Sequence, residues 1–362
     1  MEKTLIDSIN SIIKSEKRFE GVYDKAESYF ILKKIRVLAL FFVLYTHSGN
    51  ACAFYFEQAS TKLGYWISLL MFPIFQCCVC LFFMISGALL LKRQESLKKL
   101  YLHRVLPMAI VTALFVLIQY IQNCFDYGMT FSALDYLKAL YSGGAITEHW
   151  FLYSYFSFLI FLPFLRELVK GLQKAHYYYL FILMIGVNTI FPMWEAVSDW
   201  KQVGISIPFL VNIYFYPLMG YYFENSKDAL LEKRKILILA DLAGLFLAIM
   251  NCFMNYHSLT VGGVIAYRTS FLPFFTCLVF WNMKVFCSGE KHEKLWQFLG
   301  SGVFGTYLLE PQLRHLFAPV KEYFMTLPAP YLANIFLLVC MGLTGILAVN
   351  LLKKIPIIKM LL

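Results

Sequence analysis

Charge is scarce in this chain. Only 15% of its 362 residues are Asp, Glu, Lys or Arg, while 60% are hydrophobic. A soluble domain of this size needs far more polar surface, so a soluble fold is excluded and an integral membrane protein is implied. Acids are the scarcer sign, 22 against 32 Lys and Arg. Repeats of fixed period, low-complexity tracts and long linkers are also lacking. That leaves one membrane domain and no separate globular domain. The first thirty residues are polar and charged, without the apolar centre of a secretory leader, so no cleavable signal is expected.

What is present is a series of apolar runs. About ten stretches of roughly twenty residues have membrane-span length. They cover 36–56, 66–91, 105–123, 149–167, 177–195, 206–223, 236–254, 268–287, 298–318 and 331–352. The expected fold is an all-α integral membrane protein, a single bundle of about ten transmembrane helices. Lys and Arg set its orientation. With the N-terminus inside, all but Lys62, Lys138, Lys201, Arg268, Arg314 and Lys321 fall in inner segments. The positive-inside rule then predicts N-in, C-in topology, so the net charge of +10 is a topology signal that requires no nucleic-acid partner. Residues 1–30 form a cytoplasmic tail, either plain or a short amphipathic helix on the inner leaflet. Residues 31–353 are the membrane domain, and 354–362 a short cytoplasmic tail. The outer loops 124–148 and 255–267 are too short for an extracellular domain.

The nine cysteines lie mostly in apolar runs. Cys77 and Cys80 have C-x-x-C spacing but no second pair, so they read as small buried hydrophobes and no metal is expected.

Three places carry candidate chemistry. Arg36 and His47 are eleven residues apart in one apolar run. On a helix that spacing returns them to within about 20° of one face, about 16 Å apart along the axis. Asn50 continues the stripe. Arg36 alone reads as an inner-surface anchor, and His47 alone as an interhelical hydrogen-bonder. Together they mark a wet path with a group able to take or give a proton. The second place is Ser86-Gly87, followed by a basic loop closing on Arg104. A Ser-Gly pair usually marks close helix packing, and Arg104 an anchor, although guanidinium forks also suit phosphates. The third is Glu148-His149-Trp150, where Trp150 fits an interfacial belt.

The R-x10-H of the first run, FFMISGALLL of the second, HRVLP opening the third and HWFL opening the fourth resemble, in that order, acyltransferase family 3 of membrane proteins. The late FGTYLLEPQL at 304–313 resembles the family's Tyr-Leu-x-His-Pro region. The resemblance spans about residues 30 to 350. It implies transfer of an acyl group, commonly acetyl, from acyl-coenzyme A to a hydroxyl of a surface carbohydrate, peptidoglycan or small acceptor. It maps the family's Arg and His onto Arg36 and His47, its Ser-Gly onto Ser86 and Gly87, its third-span arginine onto Arg104, and its Trp onto Trp150. The chain departs from the pattern at Glu310, which stands where the family commonly has His before Pro311.

Glu310 is informative on its own, as an acid near mid-bilayer with Arg314 four residues on. An i,i+4 ion pair would offset its burial, whether the role is structural or catalytic. Asp241 is a further intramembrane acid.

The expected reaction places acyl-CoA phosphates on Arg36 and Arg104, with Lys98 and Lys99 close by, and the acyl arm near Ser86 and Gly87. His47 serves as general base beside Glu310, and Asn50, Glu148, Trp150 and Arg314 serve the acceptor. The acceptor would be an extracytoplasmic carbohydrate or lipid-linked glycan, and the location a multi-pass position in a cell membrane, a bacterial cytoplasmic membrane by the resemblance. A proton-coupled transporter is the alternative, weakened by the lack of repeat symmetry.

Overall fold

The structure, a computed structural model, describes residues 26–59, 61–143, 150–191, 194, 212–226, 228–260, 271–287 and 291–355. Among these residues every regular element is helical. In chain order the helices are α1 Ala26–His47, α2 Lys62–Phe75, α3 Cys78–Leu90, α4 Leu97–Leu100, α5 Leu106–Tyr127, α6 Ala133–Ser142, α7 Trp150–Gly171 and α8 Lys174–Ile185. They continue as α9 Asn212–Asn225, α10 Ala229–Glu232, α11 Arg234–Thr260, α12 Leu272–Phe286, α13 Glu293–Leu308, α14 Glu310–Met325 and α15 Pro330–Leu352.

Five helical stretches are long and apolar enough to cross a membrane: Lys62–Leu90, Leu97–Tyr127, Trp150–Gly171, Arg234–Tyr256 and Pro330–Leu352. The protein is therefore a multi-pass membrane protein. In lipid every backbone group must find its partner within the protein, which is why apolar runs of this length become helices.

Three expected runs take a different form. The first helix starts at Ala26, ten residues before Arg36, and stops at His47 rather than at 56. Asn50 therefore does not continue the face of His47. It sits in a short turn that follows Gly49, whose φ of +60° reverses the chain where a side chain would be strained. The second run is broken at Gln76-Cys77 into α2 and α3, and the ninth at Leu309 into α13 and α14.

The helices approach most closely where α3 crosses α9. A Cβ added at Gly87 would fall 1.9 Å from the Pro217 carbonyl oxygen, and one at Gly220 would fall 1.9 Å from that of Met84. The two glycines are reciprocal, each admitting the backbone of the other helix. Between apolar helices in lipid, such contact supplies dispersion energy where burial from water does not. α1 lies between α3, α13 and α15, and its Phe42, Val43 and Leu44 are buried in the common core.

One end of the bundle is fastened by polar contacts. Lys34 Nζ donates to the Cys287 carbonyl at 2.7 Å, Lys353 Nζ to Ser301 O at 2.7 Å, and Lys284 Nζ to Glu224 Oε2 at 2.9 Å. All three cations lie in segments that the charge bias assigns to the inner side.

Gly87→Ala is expected to lower the unfolding midpoint of the detergent-solubilised protein by several degrees, for an overpacking cost of about 1–3 kcal/mol. Gly186→Ala, where an added Cβ meets nothing within 4 Å, should leave the midpoint unchanged.

Candidate active site

His47 is the last residue of α1. The chain leaves the helix there because Ser48 turns its hydroxyl back, donating to Tyr45 O at 2.6 Å while accepting from Ala53 N at 3.1 Å. The turns that follow stay inside the protein. Ala51, Cys52, Ala53, Tyr55 and Phe56 are all buried, and the Phe54 amide bonds back to Gly49 O at 3.0 Å. Irregular backbone at this depth is tolerated because protein, not lipid, surrounds it.

Glu310 opens α14. Leu309, at φ −86° and ψ 1°, separates it from α13, and Pro311 in the first turn has no amide hydrogen with which to continue the preceding helix. The carboxylate thus lies at the positive end of a helix dipole. It is fully buried. Its Oε2 is 3.2 Å from His47 Nδ1, and its Oε1 is 3.1 Å from Arg314 Nε, one turn on. Arg314 Nη1 also donates to the His47 carbonyl at 3.4 Å. The carboxylate contacts are within ion-pair distance but are not aligned as hydrogen bonds. Charge rather than directed bonding therefore holds the acid in place. A carboxylate facing Nδ1 favours the tautomer protonated there, which leaves Nε2 as the basic nitrogen. The His47 side chain remains 16% exposed while that of Glu310 is 1% exposed, so the ring is the reachable member of the pair.

A second cluster lies between α3, α5 and α7. The loop carboxylate of Glu95 receives Arg104 Nε at 2.9 Å and Nη2 at 3.4 Å, and Arg166 Nη2 at 2.7 Å. Arg166 Nε donates to Leu90 O at 3.0 Å. Arg104 projects from a single π-helical turn, Tyr101–Val105, a feature common near functional sites. Burial pushes the Glu95 carboxyl up, but the two guanidinium groups outweigh it and hold the acid below its ordinary value.

His47, Glu310 and Arg314 therefore come together, as the i,i+4 spacing of the latter two anticipated. Arg104 is engaged by Glu95. Among the described residues Arg36 has no ion-pair partner, and it shares α1 with His47. Ser86 Oγ bonds to Phe82 O at 2.8 Å and lies 3.5 Å from the Tyr155 hydroxyl, while Gly87 is taken up by the crossing with α9. Asn50 is exposed, and its carbonyl accepts from Gln58 Nε2 at 3.0 Å. Trp150 opens α7 on an exposed face. Glu148 lies outside the described residues. Asp241 accepts from Asn282 Nδ2 at 2.6 Å, a polar link between α11 and α12. Among the described residues no group of three or more His, Cys, Asp or Glu is placed to hold a metal.

Sequence reasoning counted Arg166 only as an inner cation. The signal was available: an arginine within LIFLPFLRELV has to find an acid, and Glu95 is the one acid in the basic loop 92–104.

The family model described as an acyltransferase domain, that of acyltransferase family 3, matches residues 32–351. The match covers most of the chain, which belongs to this family. Neither the curated proteins nor the solved structures yield a match.

Because Glu95 is more acidic folded than unfolded, its contribution to stability is complete above the unfolded value of about 4.3 and is lost as pH falls through the lower folded value. Denaturant titrations should show wild-type stability declining below about pH 4. Glu95→Ala should cost about 3–5 kcal/mol at pH 7 and lack that component of the acid decline.

Proposed function

We propose that this membrane acyltransferase takes its acyl group from acyl-coenzyme A, acetyl being the expected group. The acceptor is a hydroxyl of an extracytoplasmic carbohydrate or lipid-linked glycan. The observation that carries the reading is the buried carboxylate 3.2 Å from His47 Nδ1 at the end of α1, in a chain of an acyltransferase family.

The donor enters from the cytoplasmic side. Arg36, about 16 Å along α1 from His47, offers its guanidinium to the donor's phosphates. Arg104, two of whose donors are spent on Glu95, sets the field at that end rather than acting as a free clamp. His47 Nε2 takes the acceptor's hydroxyl proton as the oxygen bonds to the acyl carbon. The thioester C–S bond breaks, and the imidazolium returns the proton to the leaving thiolate. Glu310 keeps the ring in the required tautomer and stabilises its charged form, as a carboxylate does beside a catalytic histidine elsewhere. Arg314 Nε, 3.1 Å from Oε1, is the second cationic neighbour of the Glu310 carboxylate. The proposed location is a cell membrane, as the family suggests, with both chain ends in the cytoplasm, the orientation that the charge bias favours.

The breaks at Gln76-Cys77 and Leu309 are the observation that favours a transporter, since discontinuous helices often line transport sites. A transporter would move an unmodified solute across vesicles. An acyltransferase would pass label from radiolabelled acetyl-CoA to an acceptor.

With that label and membranes from an acceptor-bearing host, His47→Ala is expected to lower transfer by about 10²–10⁴-fold. Glu310→Gln should give a smaller loss, with donor binding retained. Full transfer by a correctly inserted His47→Ala protein would sink the assignment.

A further inference from the structure

Helix α6 is ten residues long, has no buried residue and is not among the membrane-length stretches. At about 100° per residue its side chains fall into three sectors. Tyr136, Ala139 and Leu140 face the protein and are half-buried. Asp135, Lys138 and Ser142 form an exposed polar sector, where Lys138 Nζ is 3.0 Å from Asp135 Oδ1. Leu134, Leu137 and Tyr141 form an exposed apolar sector about 60° wide, with Tyr141 at 94% exposure.

The protein-facing sector is anchored. The Tyr136 hydroxyl donates to Ala113 O at 3.0 Å, the Tyr153 hydroxyl to Leu140 O at 2.8 Å, and the Ser132 amide to the Tyr120 hydroxyl at 3.3 Å. Such bonding fixes α6 against α5 and α7, so the exposed leucines and tyrosine are a built surface rather than a loose end.

That surface continues an apolar face on a helix long enough to span a bilayer. Along α5, Leu106, Ile110, Leu114, Ile118, Ile121 and Phe125 are all exposed at helical spacing, on a stretch of membrane-spanning length. They form a lipid-facing stripe, and α6 packs against the same helix. Farther along α5, Gln122 Oε1 accepts from Gln312 Nε2 at 3.2 Å, two residues from Glu310. Helix α6 therefore lies toward the end of α5 that is nearest His47 and Glu310.

We propose that α6 lies in the lipid–water boundary at that end of α5. Leu134, Leu137 and Tyr141 sit among the acyl chains, and Asp135 and Lys138 point toward water. The surface partner is the bilayer itself. A helix with one apolar and one charged sector binds there through its buried apolar area. Tyr141 suits the position because its ring is apolar while its hydroxyl reaches the headgroups. The helix also sets the level of the membrane on the site side, independently of the reaction assigned to the site.

The test is site-directed spin labelling of the full chain. Cys124, Cys287 and Cys340, the free cysteines that are not fully buried, are first replaced by serine. Labels are then placed singly through Leu137→Cys, Tyr141→Cys, Asp135→Cys and Lys138→Cys, in vesicles of phosphatidylethanolamine and phosphatidylglycerol. Leu239→Cys on the exposed face of α11 serves as the lipid reference. The expected ratio of oxygen to nickel-chelate collision rates is above one at 137 and 141, as at 239, and below one at 135 and 138. Chelate access at all four positions would overturn the proposal by placing α6 in water. Exclusion of both reagents at 137 and 141 would overturn it by showing a protein chain over the apolar sector.

Discussion

A buried carboxylate between an imidazole and a guanidinium is the constraint on which the rest of this structure turns. Isolated, the ionised Glu310 would be costly in so apolar a protein, and its fully buried position is tenable because His47 and Arg314 both stand within about ion-pair reach. Satisfying it imposes three further features. α1 must end at the level of His47, the ninth apolar run must break at Leu309 so that Glu310 falls in a first helical turn, and the chain after His47 must fold back inside the protein. Each looks like an irregularity in a membrane helix, and each serves one ion cluster.

The second cluster obeys the same rule at the other end of the chemistry. Arg104 and Arg166 come from different helices and converge on Glu95, in the loop between α3 and α4. Pairing two guanidinium groups with one carboxylate leaves a net positive site. Such a site carries a local positive field at that end of the helices. Between the two clusters, the reciprocal approach at Gly87 and Gly220 holds α3 and α9 backbone to backbone, which limits how far the surrounding helices can shift.

Much of this was legible in the sequence, for definable reasons. Apolar runs of span length report on the solvent, because lipid leaves the backbone no alternative to helix. The pairing of Glu310 with Arg314 followed from a four-residue spacing, and the shared face of Arg36 and His47 from an eleven-residue one, since helical geometry is local. Asn50 was misplaced because its assignment to the same stripe assumed that the helix continued. The signal that it stops, Ser48-Gly49, is a weak local one that acquires force only through buried turns packed against other helices. Gly87 was read both as a packing residue and as part of the donor site, and the crossing with α9 accounts for it by packing.

The sequence alone established a low-charge, multi-pass membrane protein of acyltransferase family 3, with a histidine and an acid in separate apolar runs. These are properties of composition, periodicity and motif order, and they hold whatever the helices touch. The tertiary structure decided which ionisable groups meet. It set Glu310 against Nδ1 of His47, turned Arg104 and Arg166 onto Glu95, and broke two apolar runs where a continuous helix would have carried those groups apart. Partner choice between distant helices depends on close packing in three dimensions, and no one-dimensional spacing encodes it.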